Sequence, residues 1–508
     1  MAKPHGKSTT VVSYLLGLDA GNTVIKAVLF DTAGRQVGFH ALDGATHKPA
    51  AGMVERSVSE LWQNARAAIH GCLQAAGIAT ADIRAVGCAG HGNGLYLLDQ
   101  SGTALVGIQS IDSRGAALSQ ELDAANGARI HAISLQRPWP AQTPVLLAWL
   151  KRHMPDVYAR AGTLLFAKDV LTWQLTGVRV TEISDMTGAG LMRLPEAQYD
   201  EILLALYGLE DAMPLLPPAI EPAAIAGHVT AEAARLTGLC EGTPVIGGYF
   251  DVVSSALGSG TVRHGEASIV VGSWSINQVF APEPAIDQRI FMVSKFGHGR
   301  FLNMDNSATS AANLEWYVRE FIERGGHHDD PFGAVNAAVG SIKPASDDPL
   351  FHPFLYGGRM GAHQRGGFFG IAGWHGEGHL LRAIFEGVMF EHRRHVEVLA
   401  DAGLSFDRVA LSGGGARSEL WPQMFADGLG RQVTVAEAQE TGALGAAIGA
   451  ALALGSYDDY ESAVTAMTHS RARFQPDPMM QAHYDRRYAI WTRLTEAMDP
   501  IWREMAEH

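Results

Sequence analysis

Residues 15–35 read LLGLDAGNTVIKAVLFDTAGR, and this stretch constrains the fold more than any other. An apolar run ends at a carboxylate, Asp19. Gly21 and Asn22 break the chain, a second apolar run spans Val24 to Phe30, and Asp31 to Gly34 break it again. Two apolar runs around so short a break predict an antiparallel hairpin of buried strands. Two readings of its turn stay open. It is a structural turn only, or its successive backbone N–H groups form an anion-binding concavity. In the second case Asp19 faces phosphate, which makes chemical sense only with a cation such as Mg²⁺ between them.

Strand-like and helix-like segments alternate along all 508 residues, which argues for an α/β architecture. Apolar residues Leu61, Ala65, Ala68, Ile69, Cys72 and Leu73 share one face of a helix over 58–77, with Ser57 or Ser59 as cap and Gly77 as stop. Residues 83–90 and 94–102 read as strands, and 143–153 and 168–177 as helices. A strand over 244–250 leads into a helix over 251–260 that begins with an acid. SIVVGSWSINQVF (268–280) echoes the first hairpin, which suggests two related domains with a cut near 255–265.

Composition narrows the partners. The chain is 47% hydrophobic and 18% charged, so it can bury large cores. A net charge of −14 and the lack of a basic run oppose binding to nucleic acid or to an anionic membrane. An anionic ligand must then be held locally, by backbone N–H groups, a metal or a few basic side chains. Cys72, Cys88 and Cys240 are far apart and odd in number, which argues against a disulfide framework or structural zinc. No signal-peptide core is legible, and the uncharged stretch 442–455 is too short to span a bilayer. The expectation is a cytoplasmic protein with no membrane association.

Other segments also have the composition of sites. SGGGARSELW (412–421) puts glycines between a strand and a helix, where backbone can approach a ligand at a helix N-terminus; the bland alternative is a tight turn. In GGYFDVVSSALG (247–258), Asp251 stands where a strand becomes a helix, as a cap or as a catalytic group at the carboxyl end of a strand. His91, Asn93, Asp112 and Arg114 are compact hydrogen-bonding groups on turns, suited to a polyol or simply surface polar residues. His392 and His395 in EHRRH would share a helix face, but Arg393 and Arg394 would repel a cation there.

Taken in order, these segments resemble the FGGY carbohydrate kinases over nearly the full length. The resemblance rests on DAGNT, GGYFD, VGSW (271–274), GGFFGIAGWHGEGHLLRAIFE (366–386), SGGGARSELW and ETGALGAAIGA (440–450). Within the family, GNGLYLLD (92–99), SDMTGAGLMRL (184–194), SATSAANLEWY (307–317) and PFLYGGRMG (353–361) are most similar to kinases of pentuloses such as L-xylulose, with kinases of polyols such as erythritol next. One departure concerns the sugar: many xylulose kinases carry a Gln-Met-His-Gly run where this chain has His91-Gly92-Asn93-Gly94. Another is Ser418, where glycerol kinases have an asparagine near the adenine.

The resemblance implies two ribonuclease-H-like domains, as in the actin-like ATPases, with a cleft between them. It divides the chain into 1–257 and 258–508, the last helices packing back on the first domain. It implies ATP-dependent phosphorylation of a sugar or polyol hydroxyl, with Mg²⁺. By resemblance Asp251 is the catalytic base, and His91, Asn93, Asp112 and Arg114 join it around the sugar. Gly21, Asn22 and Thr23, with Gly272 and Ser273, face the phosphates. Gly413, Gly414 and Ser418 lie by the adenosine, and Asp19 contacts Mg²⁺. A homodimer is the assembly that the family suggests. The rival from another class is an actin- or heat-shock-like ATPase acting as an interaction protein on the same fold.

Overall fold

The computed structural model describes residues 13–297, 299–326 and 329–507. The chain forms two compact units. The first comprises the chain up to Gly258 together with 294–297 and Glu440–Thr468; the second comprises Ser259–Val293, Gly299–Gln439 and the chain from His469 onward.

The predicted hairpin opens the first unit. Strand β1 (Tyr14–Ala20) pairs antiparallel with β2 (Val24–Asp31), the last pair being Ala20↔Ile25. β2 pairs antiparallel with β3 (Gln36–Asp43). On its other side β1 runs parallel to β4 (Ile83–Gly90). Pro244–Ile246 lies parallel to β4, and Ile225–His228 closes that edge antiparallel.

Alternation along β1 sets the two layers. Leu16 and Leu18 join a core with Leu61, Ala65, Ile69 and Cys72 of α1 (Val58–Ala76). Ser57 and Glu60 form a capping box at the start of α1, and left-handed Gly77 ends it. Gly17 and Gly87 point the other way, against the helix Thr441–Ala453. A Cβ on either would lie 2.0 Å from Ala443 O or 2.1 Å from Ala446 O. The alanine- and glycine-rich run is therefore a buried helix packed backbone to backbone on the sheet. No helix among the described residues is long and apolar enough to cross a membrane.

The predicted strand over 244–250 is two strands. Gly248, at φ +88, passes so close to β4 that a Cβ there would lie 2.1 Å from Cys88 O. After this crossing Tyr249–Phe250 pairs with the end of β4, Tyr249 opposite Ala89 and Phe250 opposite Gly90. Helix Asp251–Gly258 starts at once.

The second unit repeats the plan. Glu266–Val271 and Ser275–Ala281 form the hairpin, and Arg300–Ser307 pairs antiparallel outside it. Arg408–Ser412 runs parallel to the first strand, Gln432–Ala436 parallel beyond it, and Ser470–Phe474 closes antiparallel. Strand order and sense match those of the first unit, so the sequence echo at 268–280 reflects a repeated sheet.

Candidate functional site

Asp19 lies opposite Ala89 of β4, and Tyr249, two residues before Asp251, lies opposite the same residue from the other side. Two acids thus reach the same end of one sheet. Burial pushes the Asp251 carboxyl up to about 8, and the charge of Asp19 adds to the shift. Burial also raises Asp19; Lys26 opposes the shift and Glu440 adds to it. Two half-buried carboxyls, one of them raised in part by the charge of the other, suit a bound cation. No cage of three or more His, Cys, Asp or Glu side chains occurs among the described residues. A Mg²⁺ that keeps its waters and arrives with phosphates needs only one or two carboxylates.

The turn after Asp19 is held from beneath by a residue that the sequence reading missed. Arg56, with no exposed surface, donates to Ala45 O at 2.8 Å, to Gly21 O at 3.0 Å and to Asn22 O. Gln109 Nε2 also donates to Asn22 O at 2.7 Å. C=O and N–H of one peptide unit point opposite ways, so these bonds turn the N–H groups of Asn22 and Thr23 away from Arg56. Asn22 Nδ2 reaches Ser110 Oγ at 2.9 Å, while its Oδ1 is buried without a partner.

The polar turns at 91–94 and 109–114 belong to the same neighbourhood. His91 N–H donates to Ala20 O at 3.1 Å. The His91 ring is buried, 3.3 Å from Tyr96 OH, and its pKa is pushed down to about 3, first by burial and then by Arg56. It is therefore neutral. Asn93 takes the left-handed conformation, φ +57, and its Oδ1 is buried without a partner. Asp112 and Arg114 satisfy each other: Arg114 Nε sits 3.0 Å from both Asp112 oxygens, and Arg114 Nη2 reaches Glu55 at 2.7 Å. Asp112 also accepts Val54 N–H at 2.6 Å.

The second unit gathers the other predicted residues. Gly272 and Ser273 form the turn between its hairpin strands, with Ser273 exposed. Gly413, at φ +87 and ψ −177, lies against this strand end; a Cβ would be 2.7 Å from Val271 O. Gly414 has open space where a Cβ would stand. It borders a pocket of about 290 Å³ with apolar walls from Leu314, Phe332, Val335 and Phe385, and polar groups from Asn336 and Ser418. Ser418 Oγ donates to Asn336 Oδ1 at 2.6 Å and accepts the N–H groups of Leu420 and Trp421 at 3.2 Å. It thereby supports the first turn of the helix Trp421–Leu429.

His392 and His395 are consumed by buried hydrogen bonds. His395 bridges Asp305 Oδ2 at 2.8 Å and Ser307 Oγ at 2.9 Å. His392 bridges Asn277 Oδ1 at 2.8 Å and Ser310 Oγ at 2.9 Å. Both rings are fully buried, which leaves no lone pair for a metal.

Comparison with known proteins shows the family. The N-terminal domain of the FGGY family of carbohydrate kinases matches residues 14–258, and its C-terminal domain matches 267–454. The L-xylulose/3-keto-L-gulonate kinase of Escherichia coli K12 is 32% identical over 98% of this chain and 100% of its own. A probable L-xylulose kinase of Pasteurella multocida is 35% identical over 96% and 99%. The crystal structure of xylulose kinase from Rhodospirillum rubrum superposes with a TM-score of 0.86 at 28% identity, covering 96% of this chain and 100% of that one. Matched in both domains and along its length, the chain belongs to the FGGY family of carbohydrate kinases.

Proposed function

We propose that this chain transfers the γ-phosphoryl group of ATP to a hydroxyl of a pentulose, with L-xylulose the first acceptor to test. The observation that carries the mechanism is Asp251, the first residue of the helix after Tyr249–Phe250, at the same end of β4 that Asp19 reaches from the other side, with a pKa raised in part by the Asp19 charge. The names of the full-length relatives support the pentulose.

In this reading Asp251 accepts the proton of the attacking hydroxyl, a contribution of roughly 10²–10⁴-fold. Asp19 would hold Mg²⁺, which neutralises charge on the phosphates when bound. The N–H groups of Asn22 and Thr23, and of Ser273, offer donors to phosphate oxygens, while the Gly21 and Gly272 N–H groups close their own turns on Val24 O and Trp274 O. The pocket beside Gly413, Gly414 and Ser418 takes the adenosine. His91 and Asn93 line the acceptor side. Asp112 and Arg114, spent on each other, act there by fixing the 109–114 loop that holds Asn22.

The test is ADP release with MgATP against L- and D-xylulose, L- and D-ribulose, erythritol, xylitol, ribitol and glycerol. Release dependent on one pentulose is expected. Release dependent only on a polyol would move the acceptor class. Steady hydrolysis indifferent to every acceptor would overturn the reading in favour of an ATPase.

A further inference from the structure

Beside the turn at 91–94, the first unit buries Lys168, Asp169, Glu182 and Asp185, each exposed by 1% or less. Three of the four are accounted for. Lys168 Nζ donates to Asp169 Oδ1 at 2.6 Å, and Asp169 Oδ2 accepts Phe166 N–H at 3.0 Å. Glu182 accepts the N–H groups of Ser184 and Asp185, at 2.5 and 3.0 Å, and Ser184 Oγ–H at 2.9 Å.

Asp185 is different. Neither of its carboxylate oxygens has a hydrogen-bond partner. Its nearest cation is Lys168 Nζ, 3.3 Å from Oδ2, and that ammonium is already shared with Asp169 and, at 3.2 Å, with Glu182. Three carboxylates around one ammonium leave this one without a donor, an expensive condition for a buried acid.

The direction of the side chain names what is missing. A Cβ built on Gly92 would lie 2.6 Å from Asp185 Oδ1 and 2.4 Å from the Phe250 ring. The carboxyl therefore abuts the backbone between His91 and Asn93, beside the residue that precedes Asp251. Ser184 Oγ accepts Phe250 N–H at 3.2 Å and ties the two segments together. Asn93 Oδ1, on the same turn, is a second buried oxygen without a donor, on a residue only 2% exposed. Two orphaned acceptors at one turn call for a ligand rich in hydroxyl donors.

We infer that Asp185 binds the acceptor sugar, its carboxyl taking a hydrogen bond from a hydroxyl other than the one phosphorylated, with Asn93 Oδ1 as a second such acceptor. The inference rests on the kinase reading and assigns part of its specificity to one side chain. A carboxyl placed only for structure would find its partners inside the protein, as Glu182 does.

The experiment measures kcat and KM of wild type, Asp185→Asn and Asp185→Ala with the preferred pentulose and with analogues that each lack one hydroxyl. For the parent sugar, Asp185→Ala is expected to lower kcat/KM roughly 10–100-fold through KM, with KM for ATP unchanged. Asp185→Asn should fall between wild type and Asp185→Ala on the parent sugar, and all three should converge on the one analogue that lacks the hydroxyl read by Asp185. Should either variant fold poorly, Asn93→Gly, which keeps the left-handed backbone, must give the same convergence on one analogue. An equal loss on every analogue, or no loss, would overturn the assignment while wild type stays active. A wild type that phosphorylates no sugar would overturn the kinase reading itself.

Discussion

The two units share one strand order and differ in how each secures the turn of its first hairpin. In the first, Arg56 and Gln109 hold the carbonyls of Gly21 and Asn22, and Gly44 N–H donates to Thr23 O at 2.6 Å. In the second, Gly272 O accepts Ala311 N–H at 2.9 Å, and Gly272 N–H reaches Trp274 O only at 3.4 Å. The surroundings differ in the same sense. A buried arginine lies under the first turn, whereas the second stands near a pocket with apolar walls and two buried Ser–His hydrogen-bond relays. Repeating a sheet repeats the scaffold; the side chains set around each copy decide which part of a reaction it serves.

Acid should test both units at once. Burial pushes His91 in the first down to about 3. In the second, His352, packed among Phe354, Phe369, Trp491 and Trp502, is pushed down to about 4. An unfolded imidazole titrates near 6.5, so below that pH the unfolded chain binds protons that the folded chain refuses. Stability should therefore be full above about pH 6.5 and fall, by about 1.4 kcal/mol per pH unit for each group, as pH drops toward 4. His352→Phe should flatten this loss in the second unit only, measured by urea unfolding across pH. An unchanged slope would break the parallel.

Arg56→Met sharpens the contrast between the turns. It strips a charged donor from the carbonyls of Ala45 and Gly21, while Asn22 O keeps Gln109. Each buried carbonyl left unpaired costs about 1–3 kcal/mol, so about 3 kcal/mol is expected from the first unit's stability, with loss of turnover. Ser273→Ala, at the exposed second turn, should change stability by less than about 0.5 kcal/mol. Similar effects of both variants in denaturation would remove the asymmetry.

Smaller effects distinguish neighbours within the second unit. Gly413→Ala forces a side chain into a backbone region that only glycine favours, against Val271 O, and should cost about 1–3 kcal/mol. Ser418→Ala removes the oxygen that accepts two N–H groups at a helix start, worth about 1 kcal/mol. Thermal melts with and without ATP separate this loss from any change in nucleotide affinity.

Much of this was legible in the sequence because it depends on local pattern. The first hairpin, α1 with its cap and stop, and β4 follow from apolar spacing and from Ser57 and Gly77. What the sequence hid depends on packing between distant segments. The break at Gly247–Gly248 exists because the chain must pass over Cys88. Arg56 has no motif around it, and only the folded loop brings it under Gly21, 35 residues away. Asp185 reads as one residue of a polar helix start; its meaning comes from Lys168 and Gly92. Asp112 and Arg114 were legible as a cluster, but not as a pair that satisfies itself.

The central claim is that Asp251 activates a sugar hydroxyl toward ATP. The most direct measurement follows transfer of the γ-phosphate from ATP to L-xylulose by wild type and Asp251→Asn, with ATP binding measured alongside. The account predicts a sugar phosphate from wild type, turnover lower by roughly 10²–10⁴ in the variant, and ATP affinity within a few fold. A variant that turns over like wild type, or ATP hydrolysis by wild type at one rate with and without sugar, would contradict it.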